Sequence, residues 1–242
     1  YIAYRAFGGN SRLQQISLPE NLTRLSYKAF EDTGWYNAQP EGHVYLDGFY
    51  YNYKGQLPKN AVLYLDENTR GVADELQMDH DLSAVIFQGD APAHLQMSNI
   101  TVVYPADNAT WDGVDYMGYS INLNWIAAKA TGQCGENIYW ALDENGCLHL
   151  LGSGAMADYS HGTAPWYAFR DQIKEVKIAD AITYVGRYAF TSMQDVNVYF
   201  EADAPAFGEN CFADTACTVN YPTGCAGWAN AASGQYGGNV IW

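Results

Sequence analysis

The aromatic residues at the end of the chain repeat, in register, those in its middle. Tyr104-Pro105, Trp111, Tyr119 and Trp125 answer to Tyr221-Pro222, Trp228, Tyr236 and Trp242. From Pro to Trp is six positions in both copies, from that Trp to Tyr eight, and from Trp to Trp fourteen. Upstream, Phe87 with Asp90-Ala91-Pro92-Ala93 matches Phe200 with Asp203-Ala204-Pro205-Ala206, the second copy carrying four more residues before its Tyr-Pro, as a loop insertion would. A register shared over that length restricts the chain to two copies of one module end, closing at Trp125 and Trp242.

Shorter repeats lie inside each module. Tyr1-Ile2-Ala3-Tyr4-Arg5-Ala6-Phe7 parallels Tyr184-Val185-Gly186-Arg187-Tyr188-Ala189-Phe190, and Ala29-Phe30 follows Ala6-Phe7 by 23 residues. A second pattern, apolar-x-x-apolar-x-apolar, occurs at Leu13/Ile16/Leu18, Leu82/Val85/Phe87, Ile173/Val176/Ile178 and Met193/Val196/Val198. Alternating inward side chains of that kind make one short strand per repeat. The Ala-Phe stretch returns across the back, Ala allowing close backbone approach and Phe filling the gap between coils. No single repeat can bury its own apolar face, so neighbours must stack into a solenoid with a parallel sheet.

These residues resemble the BspA-type leucine-rich repeats of bacterial surface proteins, with a pattern near L-x-x-V-x-I-P followed by V-x-x-I-G-x-x-A-F. Leu13 to Pro19 with Leu22 to Phe30 carries the resemblance, as does Ile173 to Phe190. Cys134 to Trp140, Asn145-Gly146, Gly152 to Met156 and Pro165-Trp166-Tyr167 resemble the element that precedes such repeats in gut Firmicutes. The resemblance implies a leucine-rich-repeat solenoid, rich in β-structure, with short parallel strands and short helical or irregular returns. It further implies an extracellular, surface-exposed or secreted protein, and residue 1 falling inside a repeat predicts more chain upstream.

Three segments are expected: a first module over 1–125, a linker over 126–133 and a second module over 134–242. In the first, the period breaks between Trp35 and Lys54, where His43 to Leu46 and Phe49 to Tyr53 flank Asp47-Gly48, a two-residue hairpin signal. This hairpin is expected to project from the solenoid. The second module opens on another, Asn137 to Asp143 and Cys147 to Leu151 around Glu144-Asn145-Gly146, placed to cover the end of the stack.

Composition then excludes function classes. Twelve basic against 27 acidic residues give a formal charge of -15 with no basic run, which argues against nucleic acid and anionic lipid. No apolar window reaches membrane-spanning length. The sequence lacks a phosphate-binding loop, a GxSxG elbow and an HExxH motif, and its five cysteines include no CxxC pair and none at zinc spacing from a His. The reading is therefore no cofactor, no metal site, no catalytic residue and no enzyme. Asp79-His80-Asp81 and Asp66-Glu67-Asn68 are expected on turns. Cys211, Cys217 and Cys225 are near enough in sequence for one disulfide; the pairing, including Cys134 and Cys147, is left open.

Two surfaces are candidates for contact. One is the hairpin aromatics Trp35, Tyr36, Tyr45, Tyr50, Tyr51 and Tyr53, which either make a recognition surface or cover the solenoid at the break in register. The other is the concave strand face: Gln14, Gln15, Ser17, Ser83, Ile86, Lys174, Glu175, Lys177, Gln194, Asp195 and Asn197. Family resemblance implies non-catalytic adhesion or recognition, with a host or bacterial surface protein or a glycan as partner. The alternatives are a spacer displaying another domain, or an accessory module of a carbohydrate-active enzyme.

Overall fold

The computed structural model describes residues 1–116 and 120–242; Tyr119 of the duplicated register lies outside them. The chain divides into two compact units, Tyr1–Trp125 and Ile126–Trp242, each closed by one of the two paired tryptophans. The segment expected as a linker is a strand. Residues 126–133 fall within a ten-residue strand, because Ile126 and Ala128 alternate inward and give the segment a buried face.

In unit 1 the hairpin forms as β1 (Gly42–Leu46) and β2 (Phe49–Lys54). Asp47 and Gly48 both take positive φ, 44° and 81°, as a two-residue hairpin turn of matching twist requires. The hairpin does not project. Strands β3 (Ala61–Leu65), β4 (Gly71–Val72), β5 (Leu82–Phe87) and β6 (Thr101–Pro105) follow, and β2 pairs in parallel with β4 while β3, β5 and β6 make a separate parallel sheet. Two apolar cores result, one around Leu25, Phe30 and Val44, the other around Leu63, Val85, Phe87 and Trp111. Strand β2 belongs to both: Phe49 and Tyr51 pack into the first, Tyr50 into the second.

Unit 2 begins inside β7 (Asn124–Gln133), which forms an antiparallel meander with β8 (Gly135–Asp143) and β9 (Cys147–Met156). The turn between β8 and β9 is three residues long with Gly146 at φ 86°, the left-handed position such loops reserve for glycine. From β9 the sheet continues in parallel through β10 (Glu175–Ile178). The short β11 (Ile182–Val185) pairs with the far end of β9 and with β13 (Ala206–Phe207), while β10 leads on to β12 (Val196–Phe200), β14 (Ala216–Asn220) and β15 (Asn239–Ile241). Register places Leu148, Val176, Val198 and Val219 in one inward rung, with Leu150, Ile178 and Phe200 in the next. Residues well separated along the sequence thus become stacked apolar layers.

The returns between strands repeat at atomic detail. The residue before four of the Ala-Phe or Cys-Phe pairs is left-handed: Arg5, Lys28, Tyr188 and Asn210, with φ between 53° and 57°. Four non-glycine residues sharing this uncommon conformation mark one backbone turn used four times. Phe7 stacks on Phe30 at 5.4 Å, and Trp166, Phe190 and Phe212 form a second ladder with centroid spacings of 5.9 and 5.7 Å. The duplicated ends match equally well. Trp111 Nε1 donates to the Gly89 carbonyl at 3.1 Å and Trp228 Nε1 to that of Ala202 at 3.0 Å, both just before an Asp-Ala-Pro-Ala. Tyr104 stacks on Trp111 as Tyr221 does on Trp228.

One expected strand is missing. Leu13 to Leu18 forms none, because its backbone bonds elsewhere: the Leu13 carbonyl accepts from the Trp35 amide, and the Leu18 amide donates to the Asp47 carboxylate at 2.6 Å.

Candidate functional site

The six hairpin aromatics separate into core and surface. Tyr50 and Tyr51 are 0% and 1% exposed, which removes them from any contact surface. Because the two faces of β2 pack on different cores, alternation of inside and outside fails there. Tyr51 also accepts a hydrogen bond from the Phe30 amide at 2.8 Å, and burial pushes its hydroxyl pKa upward. Trp35 is half-buried against Phe30 and Tyr51. Tyr36 and Tyr53 are half-buried and Tyr45 is exposed, so these three keep access to solvent.

Tyr36 and Tyr53 meet in a cleft of about 330 Å³, lined also by Lys28, Glu31, Tyr51, Asn52, Gly55, Asp79 and His80. Its centre is the buried Asn52. The Asn52 Oδ1 accepts from the Tyr53 amide at 2.9 Å, and its Nδ2 donates to the Tyr36 hydroxyl at 2.9 Å. That fixes the amide's orientation, and His80 Nε2, 2.9 Å from the same Oδ1, must therefore carry a proton and donate. Burial lowers the His80 pKa despite the pull of Asp79, so the ring is neutral near pH 7 and its other nitrogen can accept. Across the cleft the Lys28 ammonium lies 2.9 Å from Asp79 and 3.9 Å from Glu31; the hydrogen bond to Asp79 raises its pKa. The left-handed turn before Ala29-Phe30 holds Lys28 at this rim. Fixed donors and acceptors beside aromatic edges suit a polar ligand that also presents an apolar face. Sequence reasoning missed Lys28, Glu31 and Asn52; Lys28 and Asp79 stand 51 positions apart, so no local pattern joins them.

Asp79 and His80 do lie on a turn, as expected, and the turn delivers both to the cleft. Asp66 is a turn residue too, its Oδ1 accepting from the Asn68 amide and the Thr69 hydroxyl. On the strand face, Gln14, Gln15, Ser17, Lys174, Lys177, Gln194 and Asp195 are exposed, and Ser83, Glu175 and Asn197 half-buried. Gln14, Gln15 and Ser17 stand on the irregular segment rather than on a strand. Ile86 is wholly buried and is no part of an outward face. Strand β5 reads Leu-Ser-Ala-Val-Ile-Phe, a nearly continuous apolar run with Ala84 and Ile86 buried on one side and Val85 and Phe87 on the other, the pattern of a strand covered on both faces.

All five cysteines are free thiols, with Cys134, Cys147, Cys211 and Cys217 buried. Burial pushes the Cys217 pKa to about 12 and that of Cys147 to about 11. One Cys nevertheless stands near a His, although not at a zinc-motif spacing in the sequence. Asp143, Cys147 and His149 bring their ligand atoms within 4.8 Å of one another across the β8–β9 turn.

A family model described as a BspA type leucine-rich repeat region matches residues 1–42 and 162–224, in six copies. Those two stretches carry BspA-type leucine-rich repeats. The matched stretches hold all four of these left-handed turns and their Ala-Phe or Cys-Phe pairs, so in this chain the repeat pattern and the observed return coincide. Among solved structures, the crystal structure of a leucine-rich repeat protein from Eubacterium ventriosum is 33% identical, with a TM-score of 0.35. That match covers 38% of this chain and 25% of the other, so it spans a quarter of that protein's length. No curated protein matches the chain. Among the described residues no helix is long and apolar enough to cross a membrane. BspA-type repeats form a solenoid of the kind often used for binding.

Proposed function

We propose that the chain is a non-catalytic recognition module of an extracellular bacterial surface protein, binding a host or bacterial surface protein or a glycan through the cleft of unit 1. The observation that carries this reading is the Asn52-centred network, which ties the Tyr36 hydroxyl, the Tyr53 backbone amide and the His80 ring together at an open cleft. A rigid scaffold presenting a few set polar groups beside aromatic surface loses little entropy on binding. The resemblance to surface proteins supports the extracellular location.

The carboxylates of Glu31 and Asp79 share this cleft, which raises the carbohydrate-active alternative. Both face the Lys28 ammonium, an arrangement that neutralises charge rather than one that sets an acid and a base on either side of a bond. The spacer reading draws on the mixed polar skin of Lys174, Lys177, Gln194 and Asp195, which has no charge stripe or aromatic ladder.

The test is surface binding of the full chain to a panel of matrix proteins, mucins and polysaccharides. Saturable binding to one class supports recognition; absence of binding across the panel supports the spacer. Turnover of a polysaccharide would support the enzyme reading and overturn the non-catalytic one.

A further inference from the structure

We propose that Asp143, Cys147 and His149 of unit 2 bind one divalent transition-metal cation of the zinc type. The three side chains come together for local reasons. Leu148 and Leu150 of β9 point into the core, so Cys147 and His149, two positions apart, share the opposite face. Asp143 ends β8, and the three-residue turn folds it back beside them. Its Oδ1 accepts from the amides of Asn145 at 2.9 Å and Cys147 at 2.8 Å, which leaves Oδ2 directed at His149 Nε2, 3.4 Å away.

The spacing and chemistry fit. Oxygen and nitrogen ligands at about 2.0 to 2.2 Å from a tetrahedral zinc ion stand about 3.4 Å apart, and Asp143 Oδ2 and His149 Nε2 already do. The Cys147 sulfur is within 4.8 Å of both, so a side-chain rotation of about 1 Å closes the set around a zinc–sulfur bond of about 2.3 Å. Backbone amides clamp the carboxylate, as the outer shell of a metal site does. Neighbouring strands supply the rest: Glu175 pairs with Cys147 and Lys177 with His149. Glu175, beside Cys147 on the neighbouring strand, is the nearest side chain in register for a fourth position, with water as the alternative ligand. Lys177 opposes the cation only through its charge.

A mixed sulfur, nitrogen and oxygen set suits zinc or cobalt rather than calcium or magnesium, which take oxygen. Burial keeps His149 neutral, the form that ligates, and keeps the Cys147 thiol protonated until a cation takes the sulfur. A buried thiol held in that state is a poor nucleophile, so the trio does not serve as a thiol catalytic group.

The test uses the full reduced chain and cobalt(II) alone as the probe. One equivalent is expected to give a thiolate-to-cobalt charge-transfer band with tetrahedral d–d absorption, displaced by zinc. Cys147→Ser is expected to abolish the band, and His149→Gln and Asp143→Asn to weaken binding by about tenfold or more. An absent band, or one retained in Cys147→Ser, overturns the proposal. Alkylation mapped by mass spectrometry checks the unaltered chain. Zinc is expected to slow labelling of Cys147 at least about tenfold and to leave the half-exposed Cys225 unchanged; equal labelling of Cys147 with and without zinc overturns the proposal.

Discussion

The indole nitrogen of Trp166 donates to the carbonyl of Ala189, 2.9 Å away and 23 residues further along the chain. Trp166 is wholly buried, and its ring opens the ladder that runs through Phe190 and Phe212. One side chain therefore fastens a coil to the next both by packing and by a hydrogen bond. Trp166→Phe keeps the stacking and leaves the Ala189 carbonyl unsatisfied, for an expected loss of about 1–3 kcal/mol. Trp166→Ala also opens a cavity and should cost about 3–5 kcal/mol. Urea denaturation followed by circular dichroism measures both; equal effects would show that the hydrogen bond, not the ring, dominates.

Gly186 precedes the left-handed turn at Tyr188. A Cβ added there would run into the carbonyl of Ala157 in the preceding coil. Gly186→Ala should therefore cost about 1–3 kcal/mol or more, through backbone displacement. A melting temperature equal to that of the unaltered chain would disprove this close approach.

The hairpin separates core from surface residue by residue. Tyr50→Ala and Tyr51→Ala should each lose about 3–5 kcal/mol, since each empties a filled site in one of the two cores of unit 1. Tyr53→Ala should cost no more than about 1 kcal/mol, because the ring is half-exposed at the cleft. Thermal melts of the three variants check the order, and a Tyr53→Ala loss as large as the others would place that ring in the core.

His94 is buried 3.1 Å from Asp74, which also holds the Arg24 guanidinium at 3.0 Å. Burial lowers the His94 pKa, outweighing the attraction of Asp74; Arg24 acts in the same direction as burial. His80 is lowered likewise, with Asp79 and Lys28 as its charged neighbours. The sign follows from proton counts. Below the ordinary value of 6.5 the unfolded chain takes up protons on these rings that the folded chain does not, so stability falls as pH drops through that value and is level above it. Denaturation midpoints at about pH 7.5 and about pH 5.5 should differ in that direction, and His94→Gln should reduce the difference. A midpoint that rises on acidification would contradict the burial of these rings.

The parts of this architecture legible in the sequence are those set by inward-facing residues. Ala-Phe pairs, apolar alternation and the two tryptophan registers each name a buried position, and burial is what a repeat must conserve in space. The chain from Ile126 hid its strand because alanine is a weak strand former, although Ile126 and Ala128 carried the alternation. Strand β2 defeated the alternation rule by packing on both faces. The cleft was only half legible: its tyrosines clustered in sequence, whereas Lys28, Asn52 and Asp79 meet only through stacking of coils. At the β8–β9 turn, Cys147 and His149 two apart on a strand, with Asp143 before the turn, were a readable signal once the hairpin was assigned.

The most direct test of the recognition role is the affinity of a Tyr53→Ala/His80→Ala variant for whichever protein or glycan the unaltered chain binds. Its melting temperature is measured alongside. The account predicts at least about tenfold weaker binding with little change in melting, because two contact groups are removed without touching either core. Unchanged affinity in the folded variant would contradict the assignment of the cleft as the contact site.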